Sequence, residues 1–192
     1  MTASRPAPDM AHYVIDARTS RFTVRAFAGG MLSALGHNPT IAIRNFSGEV
    51  NFDPGAPERA SVRIEIIADS LEVTDEIKSK DRREMESTMH EEVLESGKYP
   101  TIVFAGTATS AEEIGEGRFR VSMQGSLSLR GVTGTLPLTA QVALNGDMLR
   151  GYGEFSILQS DYGIPLVSVA GGALKLKDEL KFTFDIVARK QE

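Results

Sequence analysis

The chain has three histidines, His12, His37 and His90, and none has a second histidine at metal-ligand spacing. His90-Glu91-Glu92 is similar to the opening of the zinc-protease helix H-E-x-x-H, but Leu94 stands where the second imidazole would be. That run therefore reads as a solvated helix face. His37-Asn38-Pro39, after Gly36, supports two readings: a turn in which Asn38 makes a local hydrogen bond, or a polar group facing the mouth of a barrel. There is no cysteine, which removes thiolate nucleophiles, iron–sulfur ligation and thiolate zinc sites together. Serines are plentiful, yet no G-x-S-x-G elbow exists, and Gly125-Ser126-Leu127-Ser128 lies inside a strand pattern. A phosphate-binding G-x-x-x-x-G-K-[ST] loop is missing, and Gly151-Tyr152-Gly153 lacks the third glycine and the βαβ setting of a dinucleotide fingerprint.

The remaining candidates cluster between residues 75 and 95. Asp81, Glu84, Glu86, Glu91, Glu92 and Glu95 alternate with Lys78, Lys80, Arg82 and Arg83, the usual make-up of a solvated face. Arg82 and Arg83 can also contact an anionic head group at a pocket mouth. Met85 and Met89, one turn apart, either pack the helix on the rest of the protein or line an apolar cavity. These signals give no catalytic set, no metal site and no cofactor. What the residues do offer is a plausible apolar interior, beside which chemistry is the weaker reading. The alternatives are an enzyme acting on an apolar substrate, with His37 or Asp161 as general base, and an interaction or stress-response protein whose interior is simply packed.

The elements that must position these residues follow from composition and periodicity. The 192 residues are 41% hydrophobic and 24% charged, with 18 Gly, 8 Pro and a formal charge of −5, enough apolar material for one sizeable core. The acidic balance gives no footprint for a nucleic-acid partner. No apolar run approaches the roughly 18 to 20 residues of a spanning helix, and MTASRPAPDMA at the start has no signal-peptide core. Residues 1–11 are expected to form a flexible tail and 12–190 one domain. The expected location is the cytoplasm, or the periplasm or exterior if a signal peptide has been removed.

From Tyr13 onward apolar residues alternate with polar ones, the period-two pattern of half-buried strands. Phe22, Val24 and Ala26 show it, as do Val62, Ile64 and Ile66, and Leu180, Phe182, Phe184 and Ile186. The run from Phe119 to Leu129 and that from Leu136 to Leu144 form a long hairpin around Gly131 to Gly134, and Asn145-Gly146-Asp147 turns into the next strand. Parity slips between Ile43 and Phe46, predicting a bulge or bend at Arg44-Asn45. One helix is predicted from about Asp75 to Glu95, capped by Thr74 or Asp75 and ended by Gly97. About eight antiparallel strands, each with one apolar face, must form two facing sheets or close into a barrel. Gly48, Gly125, Gly151 and Gly153 on the apolar face fit either a cavity or strand coiling.

Several segments resemble the YceI-like family in order. They are Tyr13-Val14-Ile15-Asp16, Phe46 to Asp53, Asp69-Ser70-Leu71 with Thr74, Tyr99-Pro100 with Phe104, Gly125 to Thr133, and Ser160-Asp161-Tyr162-Gly163-Ile164. The resemblance spans Tyr13 to about Arg189 and departs at Thr19 and Arg130, where the family commonly has His, and at Gln159, where it has Arg. It implies a mainly β fold: a single eight-stranded antiparallel, lipocalin-like barrel with one inserted helix. It also implies a bacterial protein that binds or transports an isoprenoid or fatty lipid. The absence of Trp rules out the G-x-W signature of true lipocalins. Cavity residues are then expected to be Phe22, Val24, Phe46, Phe52, Ile64, Ile66, Met85, Met89, Phe104, Leu127 and Leu129. The head-group end would be His37, Asn38, Arg82, Asp161 and Tyr162. A long hairpin edge, with two-fold symmetry the commonest assembly, points toward a homodimer.

Overall fold

A computed structural model describes residues 10–29, 38–169 and 174–192. His37 lies outside the described residues. The amino-terminal strands come in pairs: β1 (Ala11–Ile15) with β2 (Arg21–Gly29), β3 (Thr40–Ile43) with β4 (Phe46–Phe52), and β5 (Ser61–Ile67) with β6 (Leu71–Val73). The helix α1 (Ser79–Thr88) follows and runs into a π turn, Met89–Val93. Then come the long strands β7 (Thr101–Gly115), β8 (Arg118–Leu129), β9 (Val132–Asn145) and β10 (Met148–Leu158), the short β11 (Ser168–Val169), and β12 (Leu174–Lys190).

Each amino-terminal pair is one strand broken in the middle. Both β1 and β2 run antiparallel to β12, β1 at Ala188 to Lys190 and β2 at Lys175 to Asp185. At the break, Ser20 replaces a rung of the ladder. Its hydroxyl accepts the Val187 N–H at 2.9 Å and donates to the Val187 carbonyl at 3.2 Å. The parity slip at Arg44-Asn45 is a real bend between β3 and β4. It is matched across the ladder by the 3-10 turn Ala68–Ser70 between β5 and β6. The Ser70 hydroxyl joins the two bends, accepting the Asn45 N–H at 3.0 Å and donating to the Ile67 carbonyl at 2.7 Å. Counted this way, eight antiparallel strands pair around a ring that closes where β12 meets both β10 and the β1–β2 strand. Closure gives every long strand a partner on both sides, the β9–β10 seam pairing over Gln141–Asn145 and Met148–Tyr152 only.

Two sequence expectations need correction. The helix starts at Ser79 because Thr74 and Asp75 are engaged elsewhere. The Asp75 carboxylate accepts the Thr40 N–H at 2.7 Å, and the Thr74 hydroxyl donates to the Thr40 carbonyl at 3.1 Å, tying the chain to β3. Its carboxyl end is set by Glu95, with a left-handed φ of 47°, rather than by Gly97. The β8–β9 connection is also tighter than expected. Leu129 pairs with Val132 around Arg130 and Gly131, whose φ values of 52° and 75° are those of a two-residue type I′ turn.

Inward side chains build one core. Phe52 and Phe119 pack edge-on at 5.3 Å toward one end, with Ala188 and Tyr13 buried around them. Residues on the other parity, such as Arg63, Arg120 and Gln124, face outward and are exposed or half-buried.

Candidate functional site: an apolar cavity inside the barrel

The ring encloses a cavity of about 610 Å³. That volume is within the several-hundred range of small-molecule sites. Its wall on β12 runs from Leu176 to Ile186. The bulge between Leu176 and Leu180 takes two residues out of the rise, so ~3.3 Å per residue at a strand tilt near 40° gives an axial length on the order of 20 Å. The site is a tube rather than a bowl.

Of the residues expected to line it, Phe22, Val24, Phe52, Ile64, Ile66, Met85, Met89, Phe104, Leu127 and Leu129 are in the wall. They converge because alternate residues of a closed sheet share one interior. Met85 and Met89 reach the cavity from α1 and the π turn, which flank the end where β6 has no partner on its far side among the described residues. Phe46 does not line the cavity. It is buried behind Phe22, its ring 4.9 Å away and edge-on.

The expected head-group residues do not assemble. Asn38 is exposed, and its side-chain oxygen accepts the Ala28 N–H at 2.8 Å, closing the end of β2. Arg82 turns away from the cavity and donates from Nη2 to the Asp75 carbonyl at 2.6 Å. Asp161 is exposed, with no hydrogen-bond partner among the described residues. Tyr162 is buried against Gly134, and burial, helped by the neighbouring Asp161 charge, raises its phenol pKa. The two other histidines stay outside the wall: His12 contacts Asn51 at 3.2 Å, and His90 is half-buried rather than on a solvated face.

Several wall residues carried a readable signal that the expectations passed over. Val121 and Met123 share the parity of Leu127, and Phe182, Phe184 and Ile186 share that of Leu180; all line the cavity. Gln159 carried no parity signal and stood out only as the position where the resemblance has Arg. It is a lone amide at the end of β10, 2% exposed, in the cavity wall, with its nitrogen donating to the Lys177 carbonyl at 2.9 Å.

The glycines divide between the two readings open to them. A side chain at Gly48 would meet the Arg63 carbonyl at 2.5 Å, at Gly125 the Phe104 ring at 2.3 Å, and at Gly153 the Thr139 carbonyl at 2.7 Å. Those three serve close packing. Gly151 alone of the four opens onto free space and lines the cavity.

No helix among the described residues is long and apolar enough to cross a membrane, and no cluster of three His, Asp or Glu there is placed to hold a metal.

The family model of the YceI-like domain matches residues 13–188. No curated protein matches the sequence. Among solved structures, BcnA of Burkholderia cenocepacia superposes with a TM-score of 0.68 at 19% identity, over 90% of this chain and 98% of that one. A polyisoprenoid binding domain from Saccharophagus degradans, implicated in plant cell wall breakdown, gives 0.66 at 14% identity, covering 95% and 100%. The YceI protein of Campylobacter jejuni gives 0.59 at 20%, covering 82% and 88%. At these identities the likeness is one of fold.

Proposed function

The chain belongs to the YceI-like domain family, and from that premise we propose that it binds and carries a long apolar chain of isoprenoid type inside its barrel. The observation that carries the reading is the long, almost wholly apolar cavity inside the barrel. An apolar wall holds a ligand by taking its hydrocarbon out of water. At ~0.8 kcal/mol per CH₂, each five-carbon unit would contribute about 4 kcal/mol before the costs of association. The tube shape favours an extended chain over a compact ring. A structural neighbour described as a polyisoprenoid binding domain, similar over nearly its whole length, supports the same ligand class.

Two measurements test the reading. Organic extraction of protein purified from its own host, followed by mass spectrometry, should release a prenyl or similar lipid at near-stoichiometric yield. A prenyl lipid added at about 100 times its dissociation constant should stabilise the lipid-free protein by roughly 2.7 kcal/mol. A protein that yields no lipid and whose melting is unmoved by any prenyl chain would overturn the proposal.

A further inference from the structure

The cavity wall is polar chiefly toward its helix-flanked end. There α1 contributes Asp81, Glu84 and Thr88, β12 contributes Lys175, and the turn after β10 contributes Gln159. The cations of α1, Lys80, Arg82 and Arg83, are not in the wall; Lys80 lies 3.8 Å from Glu84, and Arg82 donates to the Asp75 carbonyl. Arg130, another guanidinium near this end, is neutralised by Glu95 at 2.9 Å. Among the described residues, the wall at this end thus offers a head group two carboxylates, one of them paired with Lys80, and one ammonium. Asp81 also sits in the first turn of α1, where its charge already complements the positive end of the helix.

Gln159 adds the one fully buried polar side chain of the wall. One amide N–H is fixed on Lys177, while its carbonyl oxygen and second N–H have no partner among the described residues. A buried amide with spare hydrogen-bonding capacity favours a ligand atom that satisfies it.

We propose that this end of the barrel selects an uncharged head group bearing a hydrogen-bonding oxygen, such as a prenyl alcohol, over a phosphorylated one, with Gln159 as the specificity-determining hydrogen-bonding residue. The inference rests on the cavity being a prenyl site. An alcohol fits the amide and is indifferent to the carboxylates, whereas a phosphate meets Asp81 and the Lys80-paired Glu84 with Lys175 as the one cation in the wall.

The test uses three ligands with one tail: geranylgeraniol, geranylgeranyl monophosphate and the matching hydrocarbon without a head group. Each displaces an apolar fluorophore from the lipid-free full-length protein at low and at physiological salt. The alcohol should bind about tenfold more tightly than the monophosphate, and the gap should narrow as salt screens the carboxylates. The double variant Asp81→Asn, Glu84→Gln, both exposed positions, should shrink the alcohol-to-phosphate ratio about threefold. Gln159→Leu should lower the affinity of the alcohol about fivefold relative to that of the hydrocarbon.

A monophosphate that binds as tightly as the alcohol overturns the proposal, as does an alcohol that gains nothing over the hydrocarbon; in both cases the prenyl cavity itself stands. If none of the three displaces the fluorophore, the underlying function falls as well.

Discussion

Filling Gly151 separates a hollow interior from a packed one. The residue is buried in β10 opposite Val142 of β9 and Ile186 of β12, its φ lies outside the left-handed region, and an added Cβ meets nothing within 4 Å. Gly151→Leu would place four carbons in the lumen. At ~0.8 kcal/mol each they contribute about 3 kcal/mol, and replacing glycine in a strand adds ~0.5 kcal/mol. Loss of leucine rotamer freedom removes up to ~1 kcal/mol. The lipid-free variant should gain about 2 kcal/mol, a rise of roughly 4–8 °C in Tm for a chain of this size. The same four carbons displace ligand, so a prenyl chain should bind about a hundredfold more weakly. Gly153→Ala, two residues on, is the contrast. Its Cβ would lie 2.7 Å from the Thr139 carbonyl and 2.8 Å from the Phe184 ring, and it should destabilise by ~1–3 kcal/mol. Thermal and urea unfolding of lipid-free protein, with fluorophore displacement by a prenyl alcohol, reads both effects. A Gly151→Leu protein that is less stable than the parent, or that binds the prenyl chain unchanged, would refute the reasoning.

Ser20→Ala leaves the Val187 N–H without its partner, while the Val187 carbonyl keeps the Asp16 N–H at 2.8 Å, and should cost ~1–3 kcal/mol in urea unfolding, with little effect on the cavity. Arg130→Ala removes the pair with Glu95 and the hydrogen bond to the Gly163 carbonyl. It should cost about 1–2 kcal/mol and make the chain around residues 79–98 an early site of limited proteolysis. Asp178 and Asp185 have carboxyl pKa values lowered chiefly by hydrogen bonds, from the Ser160 hydroxyl and from Arg150 respectively. A carboxyl lowered in the folded state contributes stability above its ordinary value near 4 and loses it as pH falls through the folded value. Urea midpoints should therefore drop as pH falls below about 4, and Asp178→Asn should flatten that limb.

Strand parity made most of the wall legible, because in a closed sheet the side of the pleat decides inside from outside. The slip between Ile43 and Phe46 predicted a bend that exists. Its counterpart at Ala68–Ser70 left the same kind of signal, even-numbered Ile64, Ile66 and Ala68 giving way to odd-numbered Leu71 and Val73, which the expectations passed over. Periodicity around Met85 and Met89 located the helix, but its start was hidden. Thr74 and Asp75 are good capping residues whose side chains are drawn to Thr40, a contact across 34 or 35 positions of sequence. The polar end was least legible. Asn38, Arg82 and Asp161 have head-group chemistry, yet two are occupied by backbone groups and the third faces solvent. Gln159, flanked by Leu158 and Ser160, is buried by tertiary packing that no local pattern reports.

The glycines explain how a chain with nine phenylalanines keeps a lumen open. A barrel's radius is set by strand number and stagger, so its backbone ladder is satisfied whatever fills the middle. Large inward side chains would still crowd the axis of an eight-stranded ring. Here the Phe104 ring folds over the facing pair Gly106 and Gly125, and the Phe184 ring lies over Gly153, its cross-strand partner. Each ring lies along the wall because its neighbour has no Cβ to hold it off. A methyl at Gly125 or Gly153 would push a ring toward the axis, so these glycines widen the tube from behind the aromatics while Gly151 widens it directly. The small inward residues thus serve strand packing and cavity together, which is why composition alone could not choose between the two.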